Sequence, residues 1–133
     1  MKITKKIFSE ISAGELLDKI SILEIKKNKI KDKKKNKSVR SELSSLLLTA
    51  KDNNLFKKKN ITKAYKNLKK TNEKLWKIED EIRDCERNKN FSDKFIFLAR
   101  SVYINNDLRA KIKNSINTSA GSNIKEVKSY KKY

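Results

Sequence analysis

The chain has 133 residues, 36% hydrophobic and 38% charged, which suits one domain with a modest core. One cysteine, Cys85, and no histidine exclude an internal disulfide framework and a Cys/His metal cluster, and no stretch has the apolar length of a signal peptide or a membrane span. The net charge of +19 is compatible with a nucleic-acid partner. The single cysteine, the lack of histidine and the lack of a long apolar stretch predict a cytoplasmic protein without a metal or cofactor.

Residues 12–15, Ser-Ala-Gly-Glu, form a capping-box pattern in which Ser12 and Glu15 satisfy the first free amides of a helix. This first helix is predicted to run to about Lys34. It has two apolar arcs, with Asp18 between them; the second arc holds Ile22 and Ile25. A helix that is apolar on two sides is expected to be central in the fold or to lie at an oligomer contact.

Residues 33–38 are predicted to connect the first helix to a shorter second helix, which Ser38 caps and which ends near residues 52–54. A third helix, from about Ile61 to Arg87, has apolar residues at seven-residue spacing, as in bundles and coiled coils. Ser92 is predicted to cap a fourth helix that Gly121 ends.

The resulting fold prediction is all-α: an antiparallel bundle of three long helices plus one shorter helix, with an extended C-terminal tail. Residues 1–133 are expected to form a single domain. It comprises an N-terminal lead (1–11), the helical bundle (12–121) and a tail that docks along the bundle or a partner (122–133).

Six polar residues fall where the helical period calls for an apolar one, and burying such groups costs several kcal/mol unless they are paired. Two aromatic residues could form the wall of a pocket around them. The candidate ligand-binding residues are Glu24, Asn72, Glu79, Arg83, Asn106 and Arg109, and the candidate pocket wall is Trp76 and Tyr103.

Two interpretations of this polar cluster stay open. It forms a salt-bridge network that fixes the register of the helices, or it lines a cleft in which Arg83 and Arg109 bind an anionic small molecule. In the second case Glu24 or Glu79 would orient a hydroxyl group or move a proton. The carboxylate pairs Glu15/Asp18 and Glu81/Asp84 are interpreted as solvated helix faces rather than as Mg²⁺ ligands.

The basic composition is a weaker indication of function. The chain has 30 lysines but only 5 arginines, together with 15 isoleucines and 14 asparagines, the mixture that an AT-rich coding sequence produces without selection for a partner. The lysine runs also lack interleaved aromatic residues. A solvated surface is therefore favoured over nucleic-acid binding.

Five segments resemble a family of small bacterial proteins known only as a domain of unknown function: residues 12–26, 75–83, 95–103, 106–110 and 126–130. The resemblance spans nearly the whole chain and is weakest over residues 27–70. It implies a genomic neighbourhood of cell-surface polysaccharide and glycosyltransferase genes, but no catalytic residues.

The sequence therefore predicts a protein that binds an anionic small molecule or a partner helix through its interior polar cluster. The resemblance alone implies a context of cell-surface glycan metabolism. Whether it is an enzyme is left open. The alternatives are a nucleic-acid-binding protein and an oligomeric adaptor with a purely structural polar core; a homo-oligomer is one form that such an adaptor could take.

Overall fold

The computed structural model describes residues 5–133 of the chain. In this part it contains four helices and no strand: α1 (Ala13–Lys29), α2 (Lys33–Asp52), α3 (Lys59–Arg87) and α4 (Asp93–Ala120), with a short 3₁₀ helix (Leu55–Lys57) between α2 and α3. The predicted all-α helical bundle is confirmed. None of the helices within residues 5–133 is both long and apolar enough to cross a membrane.

Helices α3 and α4 form a hairpin around the turn at residues 88–92. At the open end of the hairpin, Asn60 Nδ2 donates to Ser119 Oγ over 3.0 Å. Toward the turn, Ile78, Cys85 and Leu98 form a small apolar core of their own. Helix α1 packs against both arms of this hairpin, and α2 packs against α1.

Helix α1 is the centre of the fold because both of its apolar arcs are covered. Leu17 and Ile20 are fully buried in the main core, where residues of α2, α3 and α4 surround them. The second arc also points inward, since Ile25 is only 3% exposed and Ile22 is half-buried. The central position of α1, one of the two predicted alternatives, is therefore the one that the described residues show.

The predicted boundary between the first two helices is wrong. Helix α1 ends at Lys29, and residues 33–38 begin α2 instead of connecting to it. The N-terminal cap is Asp32, whose Oδ2 accepts a hydrogen bond from Lys35 N over 2.9 Å, and not Ser38. Lysine is a good helix former, so a lysine run is no signal for a connector. The shorter helix is consequently α1, with 17 residues against 20 in α2.

The other helix ends follow the predictions in part. Ser12 Oγ accepts from Glu15 N over 3.1 Å, but the Glu15 carboxylate turns to Lys113 instead of the first free amides. Ser92 occupies the cap position of α4 without a side-chain hydrogen bond. Gly121 ends α4 with a φ of 67°, a left-handed conformation that glycine adopts without strain.

Residues 122–133 have no regular structure and lie against α4. The side chain of Asn114 holds this tail by both of its polar atoms: Nδ2 donates to Glu126 O over 3.1 Å, and Oδ1 accepts from Glu126 N over 3.2 Å. Further along, the rings of Tyr103 and Tyr133 meet edge to face with centroids 5.2 Å apart.

Candidate functional site

The most buried charged group in the described part of the chain is the carboxylate of Asp18, which is only 2% exposed. Arg109 binds it with two hydrogen bonds, from Nε to Oδ1 over 2.9 Å and from Nη2 to Oδ2. Asn72 Nδ2 also donates to Asp18 Oδ1, over 2.9 Å, and to Ser21 Oγ, over 2.7 Å. Three helices thus meet at one carboxylate.

Lys113 extends this cluster toward the tail. Its side chain is 8% exposed, and its Nζ lies 2.8 Å from Glu15 Oε2, 3.1 Å from Glu126 Oε2 and 3.9 Å from Asp18 Oδ2. We call the set of three carboxylates, two cations and one amide the Asp18 network; its members are Glu15, Asp18, Asn72, Arg109, Lys113 and Glu126. It joins α1, α3, α4 and the tail.

The charges of the network stabilise one another. Burial by itself would raise the pKa of Asp18, but the hydrogen bonds from Arg109 and Asn72 outweigh burial and hold this pKa below its usual 3.8. The hydrogen bonds to Asp18 raise the pKa of Arg109. Burial would lower the pKa of Lys113, but Glu15 and Glu126 outweigh it and raise this pKa above 10.5. All three groups are therefore charged at neutral pH.

A cleft of about 490 Å³ lies beside the network, between α1, α3 and α4. Arg109 and Asn72 belong to both features, so one face of the cleft is built on the network. We call it the arginine cleft; its lining residues are Ile22, Ile25, Asn72, Leu75, Trp76, Glu79, Asp80, Arg83, Asn106 and Arg109.

The arginine cleft contains five of the six predicted site residues and the predicted wall residue Trp76. Glu24 lies elsewhere: its carboxylate accepts a hydrogen bond from the Tyr65 hydroxyl and pairs with Lys69 Nζ over 3.4 Å. Tyr103 is absent from this cleft and lines a neighbouring pocket. The structure thus brings five of the six predicted residues and Trp76 together in one cleft, and it places Glu24 and Tyr103 outside that cleft.

The helical positions of Glu79 and Arg83 predicted that both side chains lie in the interior. The structure places them at the rim of the cleft instead. The side chains are 49% and 71% exposed, and the distance between Glu79 Oε2 and Arg83 Nη2 is 3.8 Å. Such an exposed i, i+4 pair contributes only about 0.3–0.5 kcal/mol to stability. Arg83 is thus only loosely held by protein groups.

Comparison with known proteins identifies the family of the chain. The family model described as "Family of unknown function (DUF6165)" matches residues 7–133. The chain belongs to this family. No curated protein and no solved structure matches the chain. The DUF6165 match includes both the Asp18 network and the arginine cleft.

Several residues that build this DUF6165 site were not among the sequence-based candidates. Asp18 was interpreted as solvated with Glu15, but it is buried and Glu15 binds Lys113. The position of Asp18 between two apolar arcs of α1 was an available signal. Lys113 carried no signal among 30 lysines, because two of its three carboxylate partners, Glu15 and Asp18, lie in a helix about a hundred positions away in sequence.

Within residues 5–133, no group of three or more Cys, Asp or Glu side chains is arranged to hold a metal ion. In particular, Glu15 and Asp18 have cationic partners in Lys113 and Arg109. The cleft presents guanidinium and amide groups as hydrogen-bond donors, with carboxylate acceptors at the rim.

Proposed function

We propose that this protein binds a small anionic molecule bearing hydroxyl groups in the arginine cleft. The observation that carries the proposal is that Arg83 and Arg109 line the same cleft, whose volume of about 490 Å³ lies within the common range of about 300–1,000 Å³ for small-molecule sites. Arginine is well suited to bind phosphate and carboxylate groups because its planar fork can donate two parallel hydrogen bonds.

Arg109 is positioned in advance for such a ligand. Two of its nitrogens, Nε and Nη2, are committed to Asp18, which fixes the plane of the guanidinium. Its Nη1 makes no hydrogen bond with any group of residues 5–133, and 29% of the side chain is exposed. A ligand anion at Nη1 would therefore meet a rigid donor and would not have to break a bond within the protein.

Arg83 provides the second, mobile donor. Because its contact with Glu79 is long and exposed, it can turn toward a ligand at small cost. Arg109 on the wall and Arg83 at the rim could bind one anionic group from two sides.

The carboxylates of the cleft favour a ligand with hydroxyl groups. The charge of Arg109 is paired with Asp18, and Glu79 and Asp80 lie beside Arg83, so the cleft is not simply a cationic pocket. A carboxylate accepts hydrogen bonds from hydroxyl groups, and the indole of Trp76 offers an apolar face. Phosphorylated or acidic sugars combine these properties, which agrees with the glycan context that the family resemblance implies.

Binding should be tested by titration calorimetry with glucose 1-phosphate and glucuronate as probes, on the parent protein and two variants. Arg83→Met removes a cleft donor, and the matched control Arg87→Met removes an arginine one turn along α3 that pairs with Asp84 outside the cleft. We expect affinity to fall about tenfold or more in Arg83→Met, since a hydrogen bond to a charged group contributes about 1.5–3 kcal/mol. Arg87→Met should bind like the parent.

Equal losses in the two variants would contradict the proposal, because they would indicate attraction by overall charge and not a site. Absence of binding for both probes would contradict the ligand class. If the protein instead binds an amphipathic helical peptide, and Trp76→Ala abolishes that binding, the alternative of a partner helix is favoured.

A further inference from the structure

A second pocket, of about 390 Å³, lies between α4 and the tail. We call it the tyrosine pocket, after the three tyrosines that stand among its lining residues: Val102, Tyr103, Asn106, Asp107, Lys128, Tyr130, Lys131 and Tyr133. The arginine cleft and the tyrosine pocket share Asn106, so they are neighbours along the surface of α4.

The three tyrosine rings of this pocket are unusually accessible. Tyr103, Tyr130 and Tyr133 are 42%, 84% and 79% exposed, although aromatic rings gain free energy when they leave water. Tyr103 and Tyr133 already contact each other edge to face, and Lys128 Nζ lies 5.8 Å from the centre of the Tyr130 ring. Clustered aromatic rings can stack on a planar base, and neighbouring lysines favour a ligand whose other groups are anionic.

Asn106, at the junction of the two cavities, has an uncommitted side chain. Its amide makes no hydrogen bond with any group of residues 5–133, unlike the neighbouring Asn105, whose Nδ2 donates to Ser101 O over 2.7 Å. A half-buried free amide offers two donors and one acceptor to a ligand that extends from one cavity to the other.

We propose that the two cavities form one site for a nucleoside diphosphate group, with the base in the tyrosine pocket and the phosphates toward Arg83 and Arg109. This inference rests on the proposed function, since it takes the arginine cleft as the anion site. It adds that the anionic group of the ligand carries a nucleobase, which the tyrosines bind by stacking and Asn106 contacts by hydrogen bonding.

The test compares UDP and ADP with inorganic pyrophosphate, which lacks base and ribose, by titration calorimetry on the full chain. Tyr130→Leu and Tyr133→Leu alter exposed rings and should not disturb folding. The matched control is Phe97→Leu, which alters a ring of α4 that is 68% exposed and lies outside both cavities.

We expect each tyrosine variant to weaken UDP or ADP binding about tenfold, because stacking on an aromatic ring contributes strongly to the binding of each base. Pyrophosphate affinity should stay unchanged in the tyrosine variants and fall in Arg83→Met. Phe97→Leu should bind all three probes like the parent.

If pyrophosphate and the nucleotides bind equally well and the tyrosine variants change neither, the nucleobase site is refuted while the anion cleft stands. If none of the probes binds, both proposals fail for phosphate ligands. If a twelve-nucleotide oligouridylate binds far more tightly than UDP, with affinity that falls steeply as salt rises, the tyrosines serve single-stranded nucleic acid and the inference is overturned.

Discussion

Arg109 has two roles: it pairs with Asp18 within the protein, and it is proposed to bind the ligand. The pairing with Asp18 determines how much Arg109 contributes to the stability of the fold. Its guanidinium is the main cationic partner of Asp18, which is nearly inaccessible to water. Removing one partner of a buried ion pair leaves the other charge unpaired in the protein interior, where water cannot solvate it. The resulting loss of stability is larger than the stability that the intact pair contributes.

Arg109→Met is therefore expected to lower the free energy of unfolding by about 3–5 kcal/mol, as measured by urea denaturation at neutral pH. The control Arg83→Met should change it by less than about 0.5 kcal/mol, because Arg83 is exposed. Similar stability for Arg109→Met and the parent would show that the Asp18 network contributes little to folding.

Asp18 also gives the protein a defined response to acid. Its folded pKa lies below 3.8, so its contribution to stability is present above the unfolded pKa and is lost as the pH falls through the folded pKa. The free energy of unfolding should thus decrease from about pH 4 downward.

In Asp18→Asn the free energy of unfolding should decrease less as the pH falls, because the carboxylate of Asp18 is no longer present to be protonated. The control Asp84→Asn alters a carboxylate that is 61% exposed and should leave the acid loss unchanged. Urea denaturation at pH 2.5, 4 and 6 measures the difference. An equally steep acid loss in Asp18→Asn would assign the response to other carboxylates.

Some site residues could be found from sequence and others could not, for a physical reason. Asn72 and Arg109 stand out because they interrupt an apolar stripe of their own helix, which is a local signal. The Asp18–Arg109 and Glu15–Lys113 pairs join residues 91 and 98 positions apart. Such pairs depend on how helices pack, and the 3.6-residue period specifies only which face of a helix packs.

At the scale of elements, the contact between α1 and α4 depends on the absence of a side chain at one position. Gly14 N donates to Asn117 Oδ1 over 2.6 Å. A Cβ at residue 14 would lie 2.7 Å from Asn117 Oδ1 and 2.9 Å from Lys113 C. Real Cβ atoms are essentially never so close to other atoms, so α1 would have to move away from α4.

Gly14→Ala should therefore destabilise the protein by about 1–3 kcal/mol, the usual cost of overpacking, even though alanine favours helices. Thermal denaturation followed by circular dichroism provides the measurement. Lys19→Ala, at an exposed position of the same helix, is the control and should have little effect. A more stable Gly14→Ala protein would mean that α1 and α4 separate easily.

The elements themselves were largely predictable, since α3 and α4 have long apolar periods without proline. The boundary between α1 and α2 was not, because lysine runs fit a helix surface and a connector equally well. Asp32 begins α2 as its N-terminal cap, because its side chain accepts a hydrogen bond from Lys35 N. The side chain of Asn36 stabilises the end of α1 by donating to Lys27 O and Ile30 O.

For the molecule as a whole, the net charge of +19 opposes the compact state through self-repulsion. Residues 26–40, which span the turn between α1 and α2, hold nine cationic side chains and one carboxylate. The first turn of α2 has no acidic residue and begins with Lys33, Lys34 and Lys35, next to the positive end of the helix dipole. Despite the Asp32 cap, these lysines at the start of α2 are therefore unfavourable in two ways: they repel one another, and they lie next to the positive end of the helix dipole.

Reversing two of these charges should stabilise the protein. In low salt, Lys33→Glu combined with Lys34→Glu is expected to raise the free energy of unfolding by about 1–2 kcal/mol, since each carboxylate near a helix N-terminus contributes about 0.3–1 kcal/mol and repulsion also falls. Urea denaturation at 20 mM and 500 mM NaCl should show that the gain in stability becomes smaller as salt screens exposed charges.

The control is Lys5→Glu combined with Lys6→Glu, which changes the net charge equally but lies outside any helix. The difference between the two double variants therefore gives the contribution of the helix dipole. Equal gains in the two double variants would mean that self-repulsion alone limits the stability of this molecule.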